Sequence, residues 1–329
     1  MRVIKKKKSS LAKKLILCFL PGFILIILLR LFVCEIFYVP SNSMHATIKE
    51  GDYVLVEKIS LGSKLPNSIS DIPWSNVLLM FSKELKAYIN KERWDYYRTK
   101  SFKSVVSGDI LVFQDIEEKS VLIKRCIGIP GDTLCINNVW YCNEEERFYS
   151  NNLHFDFNIE YYNESVSKYI TRNHLTGGTR KMGDSIIHST IISGKDLKKP
   201  NFKRVNRWFR YNELGQNKLK AYKNLIIPGK NMKIKFSKEN ASFYCDLINK
   251  YEIEKVYYMD GRVYDNGEFI QTYTFKKDYF FLLGDNRSKS IDSRHFGLIP
   301  EELLIGKAKY VLSSLNKKLP FKKKRSANQ

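Results

Sequence analysis

The chain has 329 residues, 43% apolar and 13% aromatic, enough to bury a core and to exclude a disordered protein. Its net charge of +22 is concentrated at the ends: the first fourteen residues carry seven Lys or Arg and no acid, and residues 315–329 carry six and no acid. No nucleic-acid-binding motif accompanies this charge, so the expected partner of the basic ends is anionic membrane lipid, not nucleic acid.

Taken in order, residues 1–14 form a basic segment, and Leu15 to Phe37 is apolar except for Arg30 and Glu35. At 1.5 Å per residue, 15–37 can cross a bilayer, with the two charges snorkelling near its outer end. The rival is a cleavable signal peptide. The stretch is long for one, and Tyr38-Val39-Pro40-Ser41 follows it instead of a small-x-small cleavage site. The lysines at 5–8, 13 and 14 keep the N-terminus in the cytoplasm. The bulk of the chain is then expected outside, held by a single-pass anchor in the cytoplasmic membrane.

The exported part reads as strands and turns. Gly-Asp precedes an apolar run three times: Gly51-Asp52, Gly108-Asp109 and Gly131-Asp132. The pair suits a turn and the β-branched and aromatic residues after it suit a strand. Asp260-Gly261 and Asn266-Gly267 predict tight hairpins. Helical spacing predicts helices over about 74–98 and 238–252. Residues 143–220, rich in Asn, Lys and Tyr, read as an elaborated insertion. Six cysteines show no CxxC pair and no Cys/His cluster, which argues against zinc. Cys135 and Cys142 flank a hairpin turn; a four-residue loop sets them face to face, a two-residue loop diagonally.

The five histidines form no evident triad, and no Gly-x-Ser-x-Gly elbow is present. A serine can instead be deprotonated by a neutral lysine, which requires burial among apolar neighbours. Lys124 has that setting, in Val121-Leu122-Ile123-Lys124-Arg125-Cys126-Ile127. On a strand, Leu122, Lys124 and Cys126 share a face. Most of the other lysines are ordinary surface charges. Ser43, in Pro40-Ser41-Asn42-Ser43-Met44, lies just past the apolar segment, a position where a serine is usually a turn residue.

Four segments in order resemble the conserved boxes of type I signal peptidases. They are Ser41–Thr47 running into Gly51–Lys58, Ser107–Phe113, Ile123–Asp132, and Gly284–Arg287 with Ser290–Gly297. The resemblance implies a mainly β fold behind a single transmembrane helix, with a second β region inserted in the catalytic core. It also implies a Ser-Lys serine endopeptidase, needing no cofactor, that removes signal peptides from preproteins with small side chains three and one residues before the cut, close to the secretion translocon. Ser43 would be nucleophile and Lys124 general base, with the Ser43 N–H and Ser41 hydroxyl as oxyanion hole. Ser290 would orient Lys124, and Asp285, Arg287, Asp292 and Arg294 would hold the last box through ion pairs. Asn42 stands where the family usually has Gly and Ala46 where it usually has Pro, and neither change removes a reacting group.

The implied division is 1–14 cytoplasmic, 15–37 anchor, 38–134 first catalytic part with an insertion at about 64–105, 135–280 inserted β region, 281–314 last box, and 315–329 basic tail. The enlargements resemble forms found in Bacteroidetes-type bacteria. The rival functions are a conjugation-type maturation peptidase and an inactive membrane-anchored scaffold; intact Ser43, Lys124 and Ser290 oppose the scaffold.

Overall fold

A computed structural model describes residues 11–45, 47–75, 94–115, 120–136, 141–142, 154–161, 177–182, 185–193, 209–211, 225–312 and 325–326. Helix α1 (Leu11–Leu28) runs into one π-helical stretch, Leu29–Val33. The helical path ends there because Cys34 turns extended and opens strand β1 (Cys34–Tyr38), whose N–H and C=O groups pair with β2 (Tyr53–Glu57). The stretch 15–37, expected to be a continuous anchor, is therefore not helical throughout: its last four residues belong to the main sheet. Arg30 and Glu35 do not stand apart; they pair with each other, and Glu35 also binds Lys58 at 2.8 Å. Among the described residues no helix is long and apolar enough to cross a membrane.

The main sheet is antiparallel. It continues through β3 (Ile110–Gln114), β4 (Val121–Gly128), β17 (Tyr279–Leu283), β18 (Ile299–Pro300) and β19 (Leu304–Leu312), in the order β1-β2-β19-β3-β4-β17-β18. In the tail, β20 (Arg325–Ser326) pairs with β19. Unbroken apolar runs such as Ile110–Phe113 are what a strand covered on both faces requires. Ile110 and Val112 face a core with Val54, Val56, Met44 and Ile48, and Leu111 and Phe113 face another with Phe280 and Leu282.

Each Gly-Asp pair closes the same turn. Gly51, Gly108 and Gly131 have φ of 87°, 96° and 91°, conformations that favour glycine. The carboxylates of Asp52, Asp109 and Asp132 accept the N–H three residues earlier, from Lys49, Val106 and Ile129, at 2.9–3.0 Å. These turns launch β2, β3 and β5 (Thr133–Ile136).

Between β4 and β17 lie several smaller sheets. In one, β11 (Leu225–Ile226) and β6 (Tyr141–Cys142) flank β5. Ile136 pairs with Tyr141, so Cys135 and Cys142 are direct partners in the ladder, the face-to-face alternative. A second sheet has the order β10-β7-β9-β8, from β7 (His154–Tyr161), β8 (Gly177–Met182), β9 (Ser185–Ser193) and β10 (Phe209–Tyr211). Strand β12 (Lys233–Lys235) pairs with β16 (Thr272–Thr274).

Strands β13 (Val256–Met259), β14 (Arg262–Asp265) and β15 (Glu268–Ile270) join through the two predicted hairpins, with Asp260 and Asn266 both at positive φ as a tight two-residue turn needs. Helix α2 (Ala241–Tyr251) falls inside the predicted 238–252 and packs Phe243, Tyr244, Leu247 and Ile248 against Phe275, Tyr279 and Phe281. The helix expected over 74–98 lies mostly outside the described residues, and its described end, 94–98, is not helical.

Candidate active site

The chain leaves β1 through Val39 and turns back at Gly51. Within this loop Met44 and Ile48 are buried in the core beside β2 and β3, which pins the loop from below. Ile48 N–H closes onto the Met44 carbonyl at 2.7 Å and His45 N–H onto that of Asn42 at 3.1 Å. Ser43 is held at the head of this turn, 8% exposed. Its hydroxyl lies 3.4 Å from that of Ser41.

Lys124 occupies the middle of β4, paired with Leu111 of β3, and is 3% exposed. Its Nζ lies 2.9 Å from Oγ of Ser43. Burial lowers its pKa to about 8, because an ammonium stripped of water is disfavoured; Asp292 and Asp285 pull the other way and Arg294 adds to the lowering. A buried lysine that is partly neutral at neutral pH, touching a serine hydroxyl, can take that hydroxyl's proton.

The segment after β17 clamps the loop that carries Ser43. Asn286 N–H donates to the Ser43 carbonyl at 2.9 Å, and the Asn286 side-chain amide to the Asn42 carbonyl at 3.1 Å. Gly284 permits this approach: a Cβ there would stand 2.8 Å from the Ser43 carbonyl oxygen and would overlap the Ser290 side chain.

Asp285 and Asp292 serve different partners. Asp285 forms a two-pronged pair with Arg125, both contacts at 2.7 Å, so it ties the last box to the lysine strand. The Thr47 hydroxyl donates to Asp285 and accepts from Arg125 at 3.0 Å. Asp292 binds Arg294 at 2.8 Å and receives Gly284 N–H at 3.0 Å. Burial pushes the Asp292 carboxyl up, but Arg294 and its neighbours hold it down at about 2. Arg294 also donates to the carbonyls of Arg287 and Ser290, at 2.6 and 3.1 Å, and thereby shapes the loop between them. Asp292 caps the short helix α3 (Ser293–Phe296), whose His295 Nδ1 accepts the Asp292 N–H at 3.1 Å.

Ser290 departs from expectation. It is fully buried against Gly284, and its hydroxyl has no hydrogen-bond partner among the described residues. The expected bond to Lys124 is thus not made; the Lys124 amine is engaged with Ser43 instead. Sequence reasoning also passed over Thr47 and Arg125. The signal was their place: Thr47 four residues after Ser43, and Arg125 next to Lys124 in a run too apolar for an unpaired charge. Among the described residues no group of His, Cys, Asp and Glu could hold a metal ion.

A curled, mainly β core carrying a buried lysine against a serine hydroxyl defines a class of serine peptidase-like sites. The family model described as signal peptidase, peptidase S26, matches residues 12–186 and 219–313, and the chain belongs to that family as a serine endopeptidase of the signal-peptidase type. Three similar relatives are all called signal peptidase I. That of Buchnera aphidicola subsp. Baizongia pistaciae is 28% identical over 96% of this chain and 82% of the relative. The Helicobacter pylori J99 protein is 26% identical over 90% and 80%, and the Haemophilus influenzae protein 24% over 95% and 73%.

Proposed function

We propose that this peptidase is a single-pass membrane enzyme that removes N-terminal signal peptides from exported preproteins, with Ser43 as nucleophile and Lys124 as general base. The observation that carries the reading is the 2.9 Å approach of the Lys124 amine to the Ser43 hydroxyl inside a buried site. Ser43 Oγ attacks the scissile carbonyl while its proton passes to Lys124 Nζ. The Ser43 N–H and the Ser41 hydroxyl face the developing oxyanion. Lys124 then returns the proton to the leaving amine, the C–N bond breaks, and an acyl-enzyme remains. Water, deprotonated by Lys124, hydrolyses the ester and frees Ser43.

The substrate carries small side chains three and one residues before the cut and reaches the enzyme near the translocon. Asp285, Arg287, Asp292 and Arg294 keep the last box in place, and Ser290 packs against Gly284 within it. The anchor is α1 with its continuation to Val33: apolar from Leu15, preceded by the lysines at 5–14, which keep the N-terminus in the cytoplasm and the catalytic part outside.

The test is cleavage of a model preprotein by purified protein in detergent. Ser43→Ala and Lys124→Ala each abolish it while the protein still folds, and the double variant is no worse than either, as members of one catalytic unit are non-additive. Substantial cleavage by Lys124→Ala refutes the dyad. Full protection of residues after 40 from protease added to spheroplasts refutes the topology.

A further inference from the structure

After β2 the chain makes an excursion that returns to the end of α1 through Trp74. Trp74 has a φ of 63°, a left-handed conformation in which a bulky side chain is a genuine outlier. Its indole stacks on Phe23 of α1, ring centroids 5.3 Å apart and planes 30° from parallel. The Arg30 guanidinium lies 5.5 Å from the same ring. Phe23 and Arg30 are seven residues apart, two helical turns and about 10 Å along the axis, so both address one face of the helical segment. The indole therefore sits at the level between them, and 42% of the residue stays exposed.

That level is a boundary. On one side Arg30, Glu35 and Lys58 form a charged cluster, with Lys58 Nζ also donating to the Arg30 carbonyl at 2.8 Å. On the other side the helix exposes Phe19, Leu20, Phe23 and Ile24. The excursion is built to hold its position: Ser68 and Asp71 form a capping box, and Trp94 N–H donates to the Asn67 carbonyl at 2.6 Å. Ser63 Oγ donates to the Phe32 carbonyl, and Lys58 N–H to that of Val33 at 2.9 Å, so the helix end is tied to the catalytic sheet.

We infer that Trp74 is a membrane-interface residue: it grips the anchor helix at the junction of lipid headgroups and acyl chains on the outer side, and so fixes the catalytic part against the bilayer. An exposed indole has a large apolar body and one N–H donor, which suits that layer and neither bulk water nor hydrocarbon. The charged cluster marks the water side, and the apolar helix surface continuous with the ring marks the lipid side. The inference rests on α1 being the anchor.

The experiment uses the full chain with Trp94, Trp140 and Trp208 replaced by Phe, reconstituted in phosphatidylcholine–phosphatidylglycerol vesicles. Trp74 is then the only tryptophan. Lipids brominated near the headgroup end of the acyl chain quench its fluorescence more than lipids brominated near the chain terminus, and aqueous iodide quenches it weakly. Strong iodide quenching, or protection from both quenchers, in protein that floats with the vesicles overturns the inference and leaves the anchor standing. Protein that does not float overturns both. If the triple replacement does not fold, the unsubstituted chain is compared with Trp74→Phe, which loses the bromine-quenchable component. Trp74→Ala cleaves a soluble peptide in detergent at the unsubstituted rate and a vesicle-embedded preprotein several-fold more slowly; equal rates on the preprotein also overturn it.

Discussion

The pH dependence of cleavage tests the identity of the base most directly. Burial holds Lys124 at about 8, and only its neutral form accepts the Ser43 proton. At pH 7 about one molecule in eleven then carries the neutral amine, and at pH 9 about ten in eleven, so the second-order rate constant rises about tenfold between them. A solvated lysine, near 10.4, gives a rise of about a hundredfold with no plateau by pH 9. A histidine base near 6.5 gives a rise of less than about twofold. The assay is kcat/KM for a peptide with alanine at the two recognition positions, in detergent, with ionic strength held constant. A profile nearly flat from pH 7 to 9, or the same rise in Lys124→Ala, refutes the assignment.

The same burial opposes folding. The folded value, about 8, lies below the unfolded one, so between them the unfolded chain binds more protons and stability rises with pH; the penalty is fully present below pH 8. Lys124→Met therefore stabilises the protein at pH 7 by up to about 3 kcal/mol and removes that rise, read from denaturant midpoints at pH 7 and 10. Thr47→Val loses the hydroxyl shared by Asp285 and Arg125; it costs about 1.5–3 kcal/mol of stability and lowers kcat more than it changes KM, while Thr47→Ser restores both. Unchanged kcat in Thr47→Val refutes the positioning role. Gly284→Ala forces a methyl against the Ser43 carbonyl and Ser290, so kcat/KM falls about a hundredfold, as expected for a nucleophile displaced by about an ångström; activity close to the unsubstituted enzyme's refutes the need for close approach.

Features whose cause lies within a few residues were legible in the chain. The Gly-Asp turns, the hairpins at Asp260-Gly261 and Asn266-Gly267, the strands that follow and helix α2 depend on local φ preference and periodicity, and they stand where the residues put them. Other features depend on partners far away. Cys34–Phe37 continues the apolar stretch apart from Glu35, and pairing with Tyr53–Glu57 makes it a strand. Arg125 follows Lys124 as an unremarked charge until Asp285, 160 positions on, arrives to pair with it. Ser290 makes no bond to Lys124, whose amine meets Ser43, and which of the two hydroxyls the amine reaches is a matter of packing between distant segments. The sequence by itself determined which residues could react and how their segments bend, since both are properties of side chains and nearest neighbours. Only the tertiary structure decided that Ser43 and Lys124, 81 positions apart, meet in a buried site, because that depends on how β4 packs against a loop from the other end of the sheet.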